Sequence, residues 1–270
     1  MSIFGMEFKS NFGKMLAWLI VLAILTGLSM AFYQFMIDPG TKSIFDDFLA
    51  RLSPTSQAIF GLNRDIDYTD LPQYIAFIFQ ALVFLVAMLA MQMTGNSLAK
   101  EQENGNIEYI YSNPVGRDQI YWNKFFANLL LFIVFIVLYA AITFGFACLL
   151  QPNTIRKADL LIEILKIFLS VFVIGLVYLG LGMLLSSLMS KAQGAEAISV
   201  LLVLLSGIAI ALVKIFVGGG LASFFILEGF NPPQVLLGSM EPISLIIGGV
   251  IFLLSLLFGY LVYNAKELKY

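Results

Sequence analysis

The sequence predicts an all-α integral membrane protein with six transmembrane helices, and three observations predict it. Of the 270 residues, 60% are hydrophobic and 12% are charged, against about 45–50% and about 25% in soluble domains. Six segments, roughly 15–36, 72–94, 124–149, 161–188, 195–217 and 242–263, each supply the run of about 20 mostly apolar residues needed to cross the hydrocarbon. All eight prolines fall in connections or in the first turn of a span, where the missing N–H breaks no helical ladder.

Taken in order, residues 1–16 set Ile3, Phe4, Met6, Phe8 and Phe12 among Glu7, Lys9 and Lys14. This pattern reads as an N-terminal interfacial amphipathic helix. The apolar run behind it is longer than a signal-peptide core, and no small-residue cleavage site follows. In the connection at about 37–71, Ile44, Phe45, Phe48, Leu49 and Leu52 recur at helical spacing, which predicts a second interfacial helix. Asp65, Asp67 and Asp70 alternate but lack the spacing of an EF-hand loop. They read as a solvated turn, with Thr69 or Asp70 capping the second span and Pro72 in its first turn. The apolar stretch 218–242 is broken by Gly218, Gly219, Gly220, Pro232 and Pro233. It is too interrupted to span, and reads as a re-entrant or interfacial outer segment before span six. Residues 1–270 are expected to form a single transmembrane domain.

Six spans place both termini on one side. Lys9, Lys14, Lys100, Arg117, Lys124, Lys191, Lys266 and Lys269 fall on that side, and seven basic residues on the other. The far side carries ten acids, and Lys9 and Lys14 precede the first span while Asp38 follows it. Both termini are therefore expected in the cytoplasm, with Trp18 and Trp122 at the inner interface. The expected location is the cell membrane of a bacterium.

Several function classes are disfavoured. The chain has no histidine and one cysteine, Cys148, which removes the usual proton carrier, the commonest metal ligand and any intrachain disulfide. Span centres lack ionisable groups, against a proton-coupled carrier or an intramembrane hydrolase. No phosphate-binding GxxxxGK[ST] loop is present, so the chain has no ATPase site of that kind. A net charge of −2 gives no case for nucleic acid. No cofactor and no metal are expected. Small residues at four-residue spacing (Ala141 and Gly145, Gly182 and Ser186, Ala195 and Ser199, Gly207 and Ala211) suit close helix packing, within the chain or in a dimer.

One sizeable polar stretch interrupts the apolar chain, at residues 100–124. Glu101, Glu103 and Glu108 with Ile107, Tyr109 and Ile110 suit a short helix along the inner surface. Asn113 before Pro114 stops it. Arg117 and Lys124 then sit at head-group level. Read from the residues alone, the stretch is either a solvated loop or the place where an outside motor grips.

This stretch resembles the signature of ABC type-two permeases, the membrane subunits of a class of ATP-binding-cassette exporters. Glu101 and Glu103 match the leading acids, Gly105 the glycine, Glu108 the following acid, Pro114 the proline, Arg117 the basic residue and Lys124 the lysine opening the third span. Asn106 stands where threonine is usual. The N-terminal amphipathic stretch and the broken segment before the last span resemble that family's interfacial helix and outer hairpin.

The resemblance implies a permease subunit that dimerises, as a homodimer or with a related permease, and docks a separate cytoplasmic ABC ATPase that binds the ATP. Residues about 101–113 would be the cytoplasmic coupling helix between spans two and three. The apolar, phenylalanine-rich spans favour a hydrophobic or amphipathic substrate such as a peptide, lipid or drug. The alternatives are an immunity module against membrane-active peptides, which is the same machine, and a non-transporting scaffold or sensor partner.

Overall fold

A computed structural model describes residues 2–62, 66–100, 116–150, 156–217 and 219–266. Among them all regular structure is helical. Six helical stretches are long and apolar enough to cross a membrane. The first is α1 (Ile3–Ala31) with its short continuation α2 (Tyr33–Met36). After two outer helices, α3 (Pro39–Arg51) and α4 (Pro54–Phe60), come α5 (Leu71–Gly95), α6 (Arg117–Leu150), α7 (Lys157–Leu188) and α8 (Ala192–Phe216). Three short helices, α9 (Gly219–Ala222), α10 (Ile226–Gly229) and α11 (Pro232–Leu236), precede the sixth span, α12 (Pro242–Ala265).

The helix ends follow local chemistry. Pro39, Pro72, Pro232 and Pro242 all lie in the first turn of a helix, where their fixed φ is already helical. The Ser2 hydroxyl accepts from the Gly5 N–H at 3.2 Å and caps α1, and Asp38 caps α3 through the Thr41 N–H at 2.9 Å. Asp70 stands at the N-cap of α5 without a side-chain cap bond.

Two expectations are corrected. The N-terminal amphipathic stretch is not a separate interfacial helix but the first turns of α1, continuous to Ala31. The reason is that Glu7 and Asn11, on its polar face, are buried against other spans, so the stretch belongs to the bundle. Lys124 does not open the third span. The helix begins at Arg117, two turns earlier, and Lys124 is 1% exposed.

The core centres on α5, which packs against α7, α8 and α1, while α6 packs against α1 and α7, and α12 lies on α7. Phe79, Tyr139 and Phe168 bring α5, α6 and α7 together, with ring centroids 5.0–5.3 Å apart. The Tyr139 hydroxyl meets that of Thr26 at 2.7 Å and ties α1 to the same point. Such internal pairing matters because lipid offers buried polar groups no water.

The small residues pack within the chain at three of the four expected pairs, Gly207 lying with its Cβ position 3.0 Å from the Phe84 ring of α5. A Cβ on Gly182 would overlap the Thr94 hydroxyl and the Met91 carbonyl, and Thr94 donates to the Leu179 carbonyl across this α5–α7 contact at 2.8 Å. A Cβ on Gly95 would come within 2.7 Å of the Ser199 hydroxyl, so Ala195 and Ser199 face α5. Gly145, in contrast, has nothing near its Cβ position.

The expected outer helix is α3, with Leu49, Phe45 and Leu52 packed around Ile66, Tyr68 and Phe77, while Ile44 and Phe48 stay exposed. Residues 219–241 are broken as expected. Ile226, Leu227, Phe230, Asn231, Pro232 and Pro233 are buried, with α11 packed on α5 and α7 and α10 on α12.

The α5–α7 contact is testable. Gly182→Val forces two backbones apart and should cost about 1–3 kcal/mol or more, the range for overpacking. Gly145→Ala should stay within about 0.5 kcal/mol. Detergent-phase unfolding monitored by circular dichroism should separate the two variants, and equal stabilities would contradict the packing described.

Candidate functional site

Of the residues singled out from sequence, Glu101, Glu103, Gly105, Asn106, Glu108 and Pro114 lie outside the described residues. Arg117 and Lys124 lie within them. What the structure describes is the pair of stems between which that polar segment runs: Asn96 to Lys100 on entry and Gly116 to Lys124 on exit.

α1, α5, α6, α7, α8 and α12 all present one end here. This follows from alternating spans, and places Ser2 and Lys266 at the same end as the stems. Beneath the stems sits a buried polar junction. Glu7, on the second turn of α1, is 3% exposed. Its carboxylate accepts from the Lys124 ammonium of α6 at 3.0 Å and from Lys100 on the entry stem at 3.1 Å. The Ser97 hydroxyl donates to it at 2.6 Å and the Asn11 amide at 3.0 Å. Asn128, one turn after Lys124, accepts from Asn11 at 2.6 Å and donates to the Ser97 hydroxyl at 2.7 Å. Lys124 also donates to the Ser97 carbonyl at 2.5 Å. That carbonyl lies just past the end of α5, where a cation is favoured. One carboxylate thus joins three spans.

The same end carries further ties. The Leu98 and Ala99 N–H groups donate to the Ser186 hydroxyl of α7 at 2.8 and 3.3 Å. The Asn96 amide donates to Glu196 of α8 at 2.5 Å, and Glu196 is also ion-paired with Lys14 of α1. The entry stem is therefore bonded to α1, α6, α7 and α8.

The exit stem is tied to α12. The Arg117 guanidinium donates to the carbonyls of Asn264 and Lys266 at 2.9 and 2.8 Å, with Tyr263 at 3.4 Å. Asp118 accepts from the Tyr260 hydroxyl at 3.1 Å and the Asn264 amide at 3.3 Å. Lys266 in turn donates to the carbonyls of Ser187 and Met189 at 3.2 and 2.9 Å, at the end of α7. Burial lowers the Lys266 pKa from its ordinary value.

Chemically, this assembly is suited to holding helix ends together. Its groups are carboxylate, ammonium, guanidinium, amide and hydroxyl, bonded across helices to opposite charges, amides, hydroxyls or backbone carbonyls. Among the described residues no group of three His, Cys, Asp or Glu is placed to hold a metal ion. Sequence reasoning identified Arg117 and Lys124 but missed Glu7, Asn11, Ser97 and Asn128. A signal was present: Glu7 with Asn11 and Lys124 with Asn128 are polar pairs four residues apart, one helical turn on a single face, at corresponding ends of two spans.

Because breaking a buried pair leaves a charge unmatched, at about 3–5 kcal/mol, Glu7→Leu should destabilise the protein strongly. Lys124→Met should cost less, since Lys100 still faces Glu7. The double variant should lose less than the sum. Unfolding of the three variants in mixed micelles reads this directly, and strict additivity would contradict a coupled junction.

A family model described as "ABC-2 family transporter protein" matches residues 1–268. No curated protein matches the chain.

Proposed function

The chain belongs to the ABC-2 transporter family, and on that premise we propose that it is the membrane subunit of an ATP-driven exporter. In this reading it dimerises, keeps both termini in the cytoplasm and moves a hydrophobic or amphipathic substrate. ATP is bound by a separate ABC ATPase subunit docked on residues 101–113. The outer segment 219–241 is re-entrant and closes the far end of the pathway.

The observation that carries the proposal is the double anchoring of the polar segment. A docked motor moves a transport pathway only if its point of contact is rigidly joined to the spans. The entry stem is joined to α1 and α6 through Lys100, Glu7 and Lys124, and to α7 through Ser186. The exit stem is joined to α12 through Arg117. A displacement of residues 101–115 is thereby passed to both ends of the chain. A loop that served only to stay out of lipid would need no such ties. Packed, hydrogen-bonded elements with alternative arrangements are the physical means of such transmission.

Two outcomes test the reading. With an ABC ATPase subunit coexpressed, Glu103→Lys with Glu108→Lys should leave membrane insertion intact. ATPase copurification and transport should both fall, because rim charges set docking specificity. Parent-like binding and transport in that variant would reduce the segment to a solvated loop.

Orientation is tested separately. In a background lacking Cys148, an impermeant thiol reagent on intact cells should label a cysteine placed at Ser56 and spare one placed at Ser112. The reverse pattern would invert the topology.

A further inference from the structure

α8 is the least embedded of the six spans. Its buried residues, Ala195, Ser199, Val203 and Ile210, form one stripe that rests on the bundle, chiefly on α5. The hydroxyl on that stripe, Ser199, donates to its own helix, at the Ala195 carbonyl, at 2.7 Å. Lipid chains compete evenly with apolar contact of this kind, so the polar bonds of α8 decide where it sits.

From mid-helix outward, the Ser206 hydroxyl meets that of Tyr178 of α7 at 2.9 Å, and Lys214 is ion-paired with Glu228 of α10 at 2.8 Å. At the stem end, one oxygen of the Glu196 carboxylate takes both the Lys14 ammonium of α1 and the Asn96 amide that follows α5. We propose that the stem-side half of α8, residues 192–205, is a gate that swings about Ser206 and Gly207, and that Lys14, Glu196 and Asn96 are its latch. Gly and Ser pairs are places where helices kink. The inference rests on the exporter reading only for the use of the gate, which would admit a molecule from the stem end.

The gate closes a seam. α1 packs on α5 and α6, and α8 on α5 and α7, so α5 lies behind the line where α1 and α8 face each other. At the outer end this line widens into a cavity of about 680 Å³, lined by Ser29 and Phe32 of α1, Gln80 and Phe84 of α5, and Gly207 and Ala211 of α8. That volume is within the roughly 300–1,000 Å³ of small-molecule sites. At the stem end Lys14 and Glu196 hold the seam shut. Glu196 is eleven residues before Gly207, roughly 16 Å along the helix, and release of the latch extends the space below the cavity towards the stems.

Exposure separates this latch from the Glu7 junction. Glu7 and Lys124 have side chains 2% and 1% exposed, beyond the reach of water. Lys14 and Glu196 are 25% and 39% exposed, so water replaces each partner as the other leaves, and parting them costs little. Asn96 is buried, and its Oδ1 has no hydrogen-bond partner among the described residues. The closed arrangement therefore leaves one acceptor unsatisfied, which favours release. Asn96 also begins the entry stem, so a displacement of the polar segment acts on the latch directly.

The experiment uses the full-length chain in nanodiscs, without ATPase or ATP, in a Cys148→Ser background. Spin labels on Gly13→Cys and Ala197→Cys, both exposed positions, report the latch end. Labels on Ala31→Cys and Ile215→Cys report α1 and α8 beyond the pivot. Distances are read by double electron–electron resonance. Glu196→Gln should raise the long-distance population of the first pair about fivefold, the shift that a partly exposed ion pair supports, and leave the second pair unchanged. Lys14→Met should do the same. Lys14→Glu combined with Glu196→Lys, which restores the pair with its signs exchanged, should return the parent distribution.

A first pair unmoved by the single variants, or an exchanged pair that stays open, would overturn the latch. A second pair that lengthens with the first would overturn the pivot, because α8 would then be leaving as a whole. Glu196 is exposed enough for Glu196→Gln to leave folding intact, so that variant decides the matter if a Lys14 variant misfolds. Because no ATPase is present, failure here is distinguishable from failure of the exporter reading, which the copurification experiment addresses.

Discussion

A single buried carboxylate constrains the arrangement of this bundle. Lipid supplies no hydrophobic drive for one apolar helix to choose a particular height against another. Apolar packing between α1, α5 and α6 tolerates sliding, but the Glu7 carboxylate does not. Its removal from water is compensated only while Lys124, Lys100, Ser97 and Asn11 all reach it. Buried ion pairs are poor sources of net stability and better attested as devices that fix register. Here the register fixed is that of three spans. Ser186 then sets α7 against the end of α5, and Glu196 sets α8 against α1 and Asn96.

The two ends of the molecule are built on different principles. At the end carrying both chain termini, charged side chains bond helix ends to one another. At the opposite end, connections are longer, and cavities open around Lys214 and Glu228. α5 joins them. It carries Asn96 and Ser97 just past one end and Gln80 within the cavity, and its middle is buried on nearly all sides.

The architecture was legible because span length and proline placement are local properties. Pro72 and Pro242 marked helix starts within a residue or two. Arg117 and Lys124 were found as well, though the burial of Lys124 inside the protein was not. Its burial depends on Glu7, 117 residues away, and nothing local to either residue reveals the other. Glu7 was read as part of a surface helix since its neighbours Phe4, Phe8 and Phe12 alternate with charge. The same amphipathic pattern serves a helix whose polar face turns inward onto partners. The pairing of Lys214 with Glu228 was hidden for a similar reason: a glycine-rich segment separates them, and its path is not written in any periodicity.

Arg117 has a consequence for how the chain is made. Its carbonyl partners lie up to 149 residues later in the sequence. At a synthesis rate of about 5–20 residues per second, roughly 7 to 30 seconds separate the guanidinium from the helix end it will hold. During that interval α6 can already be inserted, while Arg117 has yet to meet these carbonyls. The entry stem is thus fastened by α1, α6, α7 and α8, while the carbonyls that Arg117 holds come with α12, the sixth span. Completion of the bundle is registered at Arg117, so the segment gains its full anchoring only on a finished transmembrane domain.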